Sequence, residues 1–235
     1  MKTRLKCVIL SLICFSCGGT DSGNPRAVGL VMQAIVRSAP GAMTLPSGIE
    51  VSSAKVVVDR VRYRPFENCN SGIDENVSAL SSPKLVDLLN PETLVAFNAS
   101  SQKVCRLEVR ISKEHTFSEL SGLSMRITGA SATSVPFVVE LEIDNEWSVR
   151  DQVSGIILQS QTSYIMGFNL NEWFVGVDWS SAELELDGSI LISKDINDEL
   201  LDEIVENIKE SASLHKDDDD DGEYDDDDDE IADDD

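Results

Sequence analysis

The sequence predicts a mainly β protein, an antiparallel β-sandwich with one C-terminal amphipathic helix and a disordered acidic tail. Between residues 27 and 193, apolar and polar residues alternate with period two in several short runs, as in half-buried strands. Gly, Pro, Asn and Ser separate these runs, which is typical of a sandwich. Beyond residue 194 the apolar spacing changes to three and four residues, and from Asp217 onward the composition is almost wholly acidic.

Two runs alternate most clearly. In the first, Cys105, Leu107, Val109 and Ile111 form an inner face and Val104, Arg106, Glu108 and Arg110 an outer face. The second covers 137–144. Further strands are predicted at 28–37, 54–64, 124–128, 155–159, 163–170 and 182–192. The last is expected to bend at Asp187-Gly188, a hairpin dipeptide, and 84–89 is interpreted as a short helical turn.

Residues 195–214 predict the helix. Its apolar stripe, expected to pack on the sandwich, consists of Ile196, Leu200, Leu201, Ile204, Val205 and Ile208. Asp195 or Asn197 is the expected N-cap. The predicted organisation is a signal peptide at 1–16, a modified cysteine and tether at 17–26, the sandwich at 27–193, the helix at 194–216 and the acidic tail at 217–235.

The N-terminus has the three parts of a secretory signal. Lys2, Arg4 and Lys6 are basic, 7–15 is apolar, and the small Ser16 stands directly before Cys17. The apolar run is shorter than the roughly 20 residues that span a bilayer. Export is therefore expected, with cleavage near Cys17.

The end of this signal resembles the lipobox of bacterial lipoproteins, with Cys14 standing where an aliphatic residue is usual. The resemblance implies cleavage before Cys17 and attachment of membrane lipid to its sulfur, which gives stable anchoring when several acyl chains are present. Gly18 is not an inner-membrane retention signal of that family, so the outer membrane is the expected location. The alternative is an ordinary secretory signal and a free secreted protein. The layout as a whole resembles uncharacterised surface lipoproteins with one β-sandwich after a Gly-rich tether.

The cysteines agree with export. Cys7 and Cys14 lie in the signal and Cys17 is assigned to lipid, so Cys69 and Cys105 remain. Two cysteines in an oxidising compartment predict one disulfide. The alternative is a pair of separate buried thiols.

Charge excludes one class of partner and suggests an ion. The net charge is −24, and 15 of the 43 acidic residues fall within 217–235, which contains no Lys or Arg. Nucleic-acid binding through phosphates requires the opposite sign.

Asp-rich residues 217–222 resemble the opening of an EF-hand or dockerin calcium loop, which implies a ligand set of Asp217, Asp219, Asp221, the Glu223 carbonyl, Asp225 and Asp228. Asp228 replaces the usual Glu and no exiting helix follows, so weak Ca²⁺ binding is expected; the alternative is a solvated polyanion.

Two patches are candidate ligand sites. One predicted strand contains Val56 and Val58 and then, at every second position, Arg60, Arg62 and Arg64. The three arginines share one face and form a basic stripe that could bind the acidic tail or an anionic glycan. Trp173 and Trp179, with Trp147 and Phe174, lie among polar residues and are candidates for stacking on a sugar. The alternative for the arginines is a solvent-facing strand without a ligand, and the alternative for the aromatic residues is packing in the core.

Catalytic motifs are absent from the sequence. It contains no GxSxG, HExxH or P-loop pattern, and His115 and His215 are its two histidines. The leading interpretation is a noncatalytic, membrane-anchored envelope lipoprotein that binds a protein or glycan partner at the cell surface. The alternative is a hydrolase acting on an envelope or extracellular polymer through two carboxylates.

Overall fold

The structure is a computed structural model that describes residues 28–35, 43–69, 76–90, 93–97, 103–113, 116–150, 155–158, 163–216 and 229–230. These residues form a mainly β fold of two sheets and one long helix, as the sequence predicts. No helix within the described ranges is long and apolar enough to cross a membrane.

Strands dominate the chain order. They are β1 Val28–Ile35, β2 Met43–Thr44, β3 Glu50–Pro65, β4 Val77–Ser78, β5 Lys84–Asp87, β6 Thr93–Phe97, β7 Lys103–Ile111, β8 Met125–Ala130, β9 Pro136–Leu141, β10 Asn145–Arg150, β11 Ile156–Ile157, β12 Ser163–Asn169, β13 Ile190–Ile192, β14 Ala212–Lys216 and β15 Asp229–Glu230. The α-helices are α1 Leu170–Trp173 and α2 Asp198–Glu210.

The smaller sheet has the order β15-β14-β12-β1-β6, and the larger has the order β10-β7-β3-β8-β9-β13. In the larger sheet β11 also pairs with β7, and β2, β4 and β5 pair with β3. Most pairs are antiparallel, and the exceptions among the described strands are β1 with β12 and β13 with β9. Both exceptions join strands far apart in sequence, which the long connections of parallel pairs require.

Strand β3 organises the larger sheet and contains a bulge. It pairs with β8 from Glu50 to Val56 and with β7 from Val58 to Pro65, and the register shifts between Val58 and Arg60. An extra residue in one strand reverses which side chains face inward beyond it. Val56 and Val58 therefore point into the core, while Arg60, beyond the bulge, points outward.

The core lies between the sheets and beneath α2. Its largest fully buried side chains include Trp173, Tyr164, Phe137 and Phe168. The Phe168 ring meets Trp147 edge-on at 5.1 Å and Trp173 at 6.2 Å between centroids, and all three belong to the one core cluster. Each such side chain contributes on the order of 2 kcal/mol by leaving water.

Helix α2 confirms the predicted apolar stripe, since Leu200, Leu201, Ile204 and Ile208 are buried. It is shorter than predicted. It ends at Glu210, and residues 212–216 instead form β14, whose backbone pairs with β12. This pairing satisfies the backbone groups at the edge of β12. The spacing of apolar residues along 195–214 does not reveal that such a partner strand is available.

Asn197 occupies the predicted N-cap position of α2 but does not cap the helix with its side chain. This residue has a left-handed backbone, φ 59°, and its side chain makes no cap hydrogen bond. Its amide instead donates to the carbonyls of Glu183 and Leu191 and accepts from the Glu183 N–H. Asn197 therefore fastens the start of α2 to the preceding hairpin.

Three further segments can be compared with their predicted structure. The hairpin at Asp187-Gly188 is confirmed, with Gly188 at φ 83°. Residues 84–87 form strand β5 rather than a helical turn, because their backbone pairs with β3. Within the acidic tail, Asp229–Glu230 pairs with Lys216 and His215 of β14, so these two residues are ordered as an edge strand and not disordered.

Candidate functional site

The sheet face opposite the core carries a dense array of arginines on β10, β7 and β3. We call it the arginine face and define it by nine residues, Arg60, Arg62, Arg64, Arg106, Glu108, Arg110, Glu146, Ser148 and Arg150. Their inward neighbours, such as Val61 and Leu107, are buried in the core. The alternation of the three strands therefore projects these polar side chains to the same side.

The strand register arranges the nine residues in three rows across the sheet. The first row is Arg150, Arg106 and Arg64; the second is Ser148, Glu108 and Arg62; the third is Glu146, Arg110 and Arg60. Neighbours within a row are about 5 Å apart, and rows are about 6.8 Å apart along the strands. Like charges directly opposite one another are unusual in a sheet, and the first row places three arginines side by side.

Glu108 is the buried counter-charge of the second row. Its side chain is 2% exposed, and its Oε2 accepts from Arg62 Nε at 2.7 Å. Its other oxygen, Oε1, lies 2.5 Å from Arg106 Nη2, an ion pair whose angle does not meet hydrogen-bond geometry. Two guanidinium groups thus neutralise one desolvated carboxylate.

Glu146 lies on the same face and is more exposed. Its carboxylate is 2.7 Å from Arg60 Nη2, 3.3 Å from Arg62 Nη2 and 3.9 Å from Arg106 Nη2. Three guanidinium groups therefore converge on one carboxylate supplied by the edge strand β10. The arrangement is the one that guanidinium groups adopt around an anion.

The bulge residue borders the third row. Asp59 lies 3.5 Å from Arg110, which also lies 3.4 Å from Asp144. Burial raises the pKa of Asp59 above its usual value, and the attraction of Arg110 and Arg60 offsets only part of this effect. Keeping the Asp59 carboxylate ionised in this position therefore costs folding free energy.

The face has more donors than acceptors. Six arginines and two glutamates lie within the nine residues, and Asp59 and Asp144 contact Arg110 at the margin. Of the described contacts, none satisfies the buried Nε groups of Arg60 and Arg106. Six arginines on one face stand out in a chain whose net charge is −24.

A disulfide holds one end of the arginine face. Cys69 and Cys105 are bonded, which confirms the predicted pairing. Cys105 precedes Arg106 on β7, and Cys69 follows the single turn Phe66–Asn68 at the end of β3. The bond therefore ties together the strand ends that carry Arg64 and Arg106.

The predicted residues are brought together only in part. Arg60, Arg62 and Arg64 do share one outward face. Sequence reasoning missed the cross-strand partners Arg106, Glu108, Arg110, Glu146 and Arg150. The outer face of β7 was recognised as polar, but a charge alternation in one strand does not reveal which residues of another strand it will meet.

The tryptophans do not form a sugar-stacking surface. Trp173 is 0% exposed, and its Nε1 donates to Ser211 Oγ at 2.7 Å. Trp179 is half-buried, with its ring 4.9 Å from Phe137 and 5.7 Å from Phe174. Trp173 is therefore core and its assignment to a ligand patch is wrong, while Trp179 packs against two core rings and lies outside the arginine face.

An open cleft of about 320 Å³ lies where the hairpin meets α2. Its acidic lining consists of Glu183, Asp195, Asp198 and Glu199. In the described part of the chain, no group of three or more His, Cys, Asp or Glu side chains is placed to hold a metal ion. Cys17 and the predicted calcium ligands between Asp217 and Asp228 lie outside the described residues.

The fold and the site define a mainly β sandwich protein with an arginine-lined sheet face. No family model and no curated protein matches the sequence. A solved structure described as "NMR structure of the protein from Eubacterium rectale" is similar at 10% identity over 74% of this chain and 91% of that chain, with a TM-score of 0.20. A TM-score of this size carries no information about shared fold or function.

Proposed function

We propose that this chain is a noncatalytic, membrane-anchored envelope lipoprotein whose sandwich binds a partner through the arginine face. The observation that carries the proposal is the array itself, in which three neighbouring strands present six guanidinium groups on one surface. The array departs from the usual avoidance of like-charged neighbours. Residues that break the local rules of sheet stability in this way are expected at functional sites.

The anchor is the second part of the proposal. The signal at 1–16 and Cys17 support export and lipid attachment, with the outer membrane as the proposed location. The Cys69–Cys105 bond supports export, because structural disulfides form mainly in oxidising compartments.

Mass spectrometry of the mature N-terminus tests the anchor. The expected species begins at lipid-modified Cys17, and Cys17→Ala is expected to abolish the modification and release the protein from membranes. An unmodified start in the wild-type chain would show a secreted protein instead.

Binding is tested with isolated cell envelopes and the purified mature chain. Saturable binding that weakens as salt rises is expected. A variant with Arg64→Gln and Arg150→Gln should bind several-fold more weakly. The matched control is Arg126→Gln, which removes an arginine of β8 that pairs with Glu140 outside the arginine face. Equal binding by both variants would remove the arginine face from the proposal.

Weak calcium binding by the acidic tail is a separate proposal. It is supported by the spacing of Asp217, Asp219 and Asp221 before Gly222, with Glu223, Asp225 and Asp228 completing the ligand set. Millimolar Ca²⁺ is expected to raise the Tm or to alter the NMR signals of this segment, whereas equal ionic strength from NaCl should not. If Ca²⁺ and NaCl act alike, the tail is a solvated polyanion.

A hydrolase is the second candidate, because the cleft beside α2 gathers carboxylates. Of these, Glu183 and Asp195 flank the loop that Asn197 fastens. The test is turnover of envelope polysaccharide by the wild-type chain and by Asp195→Asn. Product formation that is lost in the variant would favour catalysis over the binding role.

A further inference from the structure

We infer that the arginine face binds an extended acidic peptide segment of a partner protein, with carboxylates at alternate positions along the segment. The inference rests on the proposed binding role and adds the chemistry of the partner.

The spacing of the face matches an extended peptide. Arg60, Arg62 and Arg64 follow one another at every second position of β3, so their Cα atoms are about 6.8 Å apart. Side chains on one side of any extended chain have the same period. Acidic residues at positions i, i+2 and i+4 of a partner segment can therefore each meet one arginine without either chain bending.

The structure already shows how a carboxylate from an extended strand fits this surface. Glu146, on the edge strand β10, lies 2.7 Å from Arg60 and 3.3 Å from Arg62. A partner glutamate would present the same group from the same kind of backbone. Arginine suits this task because its planar fork matches the two oxygens of a carboxylate.

The face retains donors for such a ligand. Each guanidinium has five N–H groups, and the glutamates of the face occupy only some of those on Arg60, Arg62 and Arg106. Incoming carboxylates would also relieve the repulsion between the opposed arginines Arg60 and Arg110.

The composition of the face disfavours a neutral sugar. None of its nine residues is aromatic, while Trp147 and Trp173 are buried on the core side. Recognition must therefore depend on charge. Of the anionic polymers, a peptide is favoured because its period equals that of the face.

The test uses fluorescence anisotropy with the purified mature chain and three labelled peptides of equal length. One alternates Glu with Thr, one has the same composition with all Glu in a single block, and one alternates Gln with Thr. The alternating Glu peptide is expected to bind several-fold more tightly than the block peptide, and the Gln peptide not at all. Arg60→Gln or Arg64→Gln should weaken binding by about fivefold.

Two controls exclude trivial explanations. Arg126→Gln removes the same charge from the same sheet and should leave the affinity unchanged. Arg64→Lys keeps the charge but loses the fork, so its affinity should fall between those of the wild type and Arg64→Gln. The Tm of each variant reports whether it is folded.

Other occupants give distinct results. The chain's own tail has the same chemistry, so a full-length variant with asparagine at every aspartate between 217 and 228 is tested in parallel. Peptide binding seen only with that variant would make the tail the occupant and overturn the inference. Binding of polygalacturonate but of no peptide would also overturn it while leaving the proposed function intact. Binding of none of these probes, together with no envelope binding, would remove both.

Discussion

Arg62 donates from its Nε to a carboxylate oxygen of Glu108 at 2.7 Å, and the glutamate it contacts is 2% exposed. A carboxylate at this depth is desolvated, and its charge is tolerated because Arg62 and Arg106 lie against its two oxygens. The arginine face is therefore built upward from a buried anion. The guanidinium groups of Arg62 and Arg106 are held in place by the same contacts that compensate Glu108.

Glu108→Gln is expected to destabilise the protein. The substitution keeps the shape of the side chain but leaves Arg62 and Arg106 without their buried counter-charge. Because both arginines are partly exposed, we expect a loss of about 3 kcal/mol, at the lower end of the range for breaking a buried ion pair. Urea unfolding of the mature chain measures it. Glu140→Gln breaks the more exposed pair with Arg126 and should cost less than about 1 kcal/mol, so equal losses would contradict the special role of Glu108.

Loss of the disulfide is expected to lower the free energy of unfolding by about 4 kcal/mol in the chain-entropy model, given the sequence separation of 36 between Cys69 and Cys105. The double variant Cys69→Ser and Cys105→Ala tests this by urea unfolding. Reductant should weaken the wild type to a similar degree and leave the double variant unaffected. Equal stability of the oxidised wild type and the variant would show that the bond constrains little.

Asp59→Asn is expected to raise the Tm at neutral pH. Burial raises the pKa of Asp59 in the folded protein above its usual 3.8, so the folded state binds this proton more tightly than the unfolded state does. The resulting stability is fully present below pH 3.8 and is lost as the pH rises through the folded pKa. A neutral asparagine avoids that loss, and the advantage of the variant should shrink toward acidic pH in thermal scans.

Asp178 provides a control of opposite sign. The side chain and backbone of Ser180 donate to its carboxylate and lower its pKa. Asp178→Asn should therefore be less stable than the wild type at neutral pH, and the difference should vanish as the pH falls through the folded pKa. If both variants shifted in the same direction, charge removal in an acidic chain would explain the result better than local burial.

Gly129→Ala is expected to disrupt the pairing of β8 with β3. A Cβ at this position would lie 1.9 Å from the carbonyl oxygen of Glu50 and 2.8 Å from the Phe137 ring. The carbonyl belongs to the backbone of β3 and not to a flexible side chain, so the strand itself must shift, and we expect a loss of about 3 kcal/mol. Gly122→Ala meets no atom within 4 Å but has φ 77°, and should cost about 1 kcal/mol. A similar cost at both sites would contradict the close approach.

Local patterns predicted much of the fold. Short segments of sequence were enough to predict the alternation along β7 and β9, the hairpin at Asp187-Gly188 and the apolar stripe of α2. In each of them the spacing of apolar residues or the turn dipeptide indicates the structure directly. The pairing of Cys69 with Cys105 followed from counting cysteines. Errors arose where distant backbone decided the outcome, as at β5 and β14, which became strands because β3 and β12 offered pairing partners.

By itself the sequence determined the fold class and the common face of Arg60, Arg62 and Arg64, because both depend on local periodicity, and the disulfide, because two cysteines remain outside the predicted signal and lipid site. Only the tertiary structure decided that these arginines share one sheet face with Arg106, Arg110, Arg150 and a buried Glu108, and that Trp173 faces the core. Strand register and sheet order bring together residues far apart in the chain. No local pattern specifies them, because they are selected by the packing of the whole sandwich.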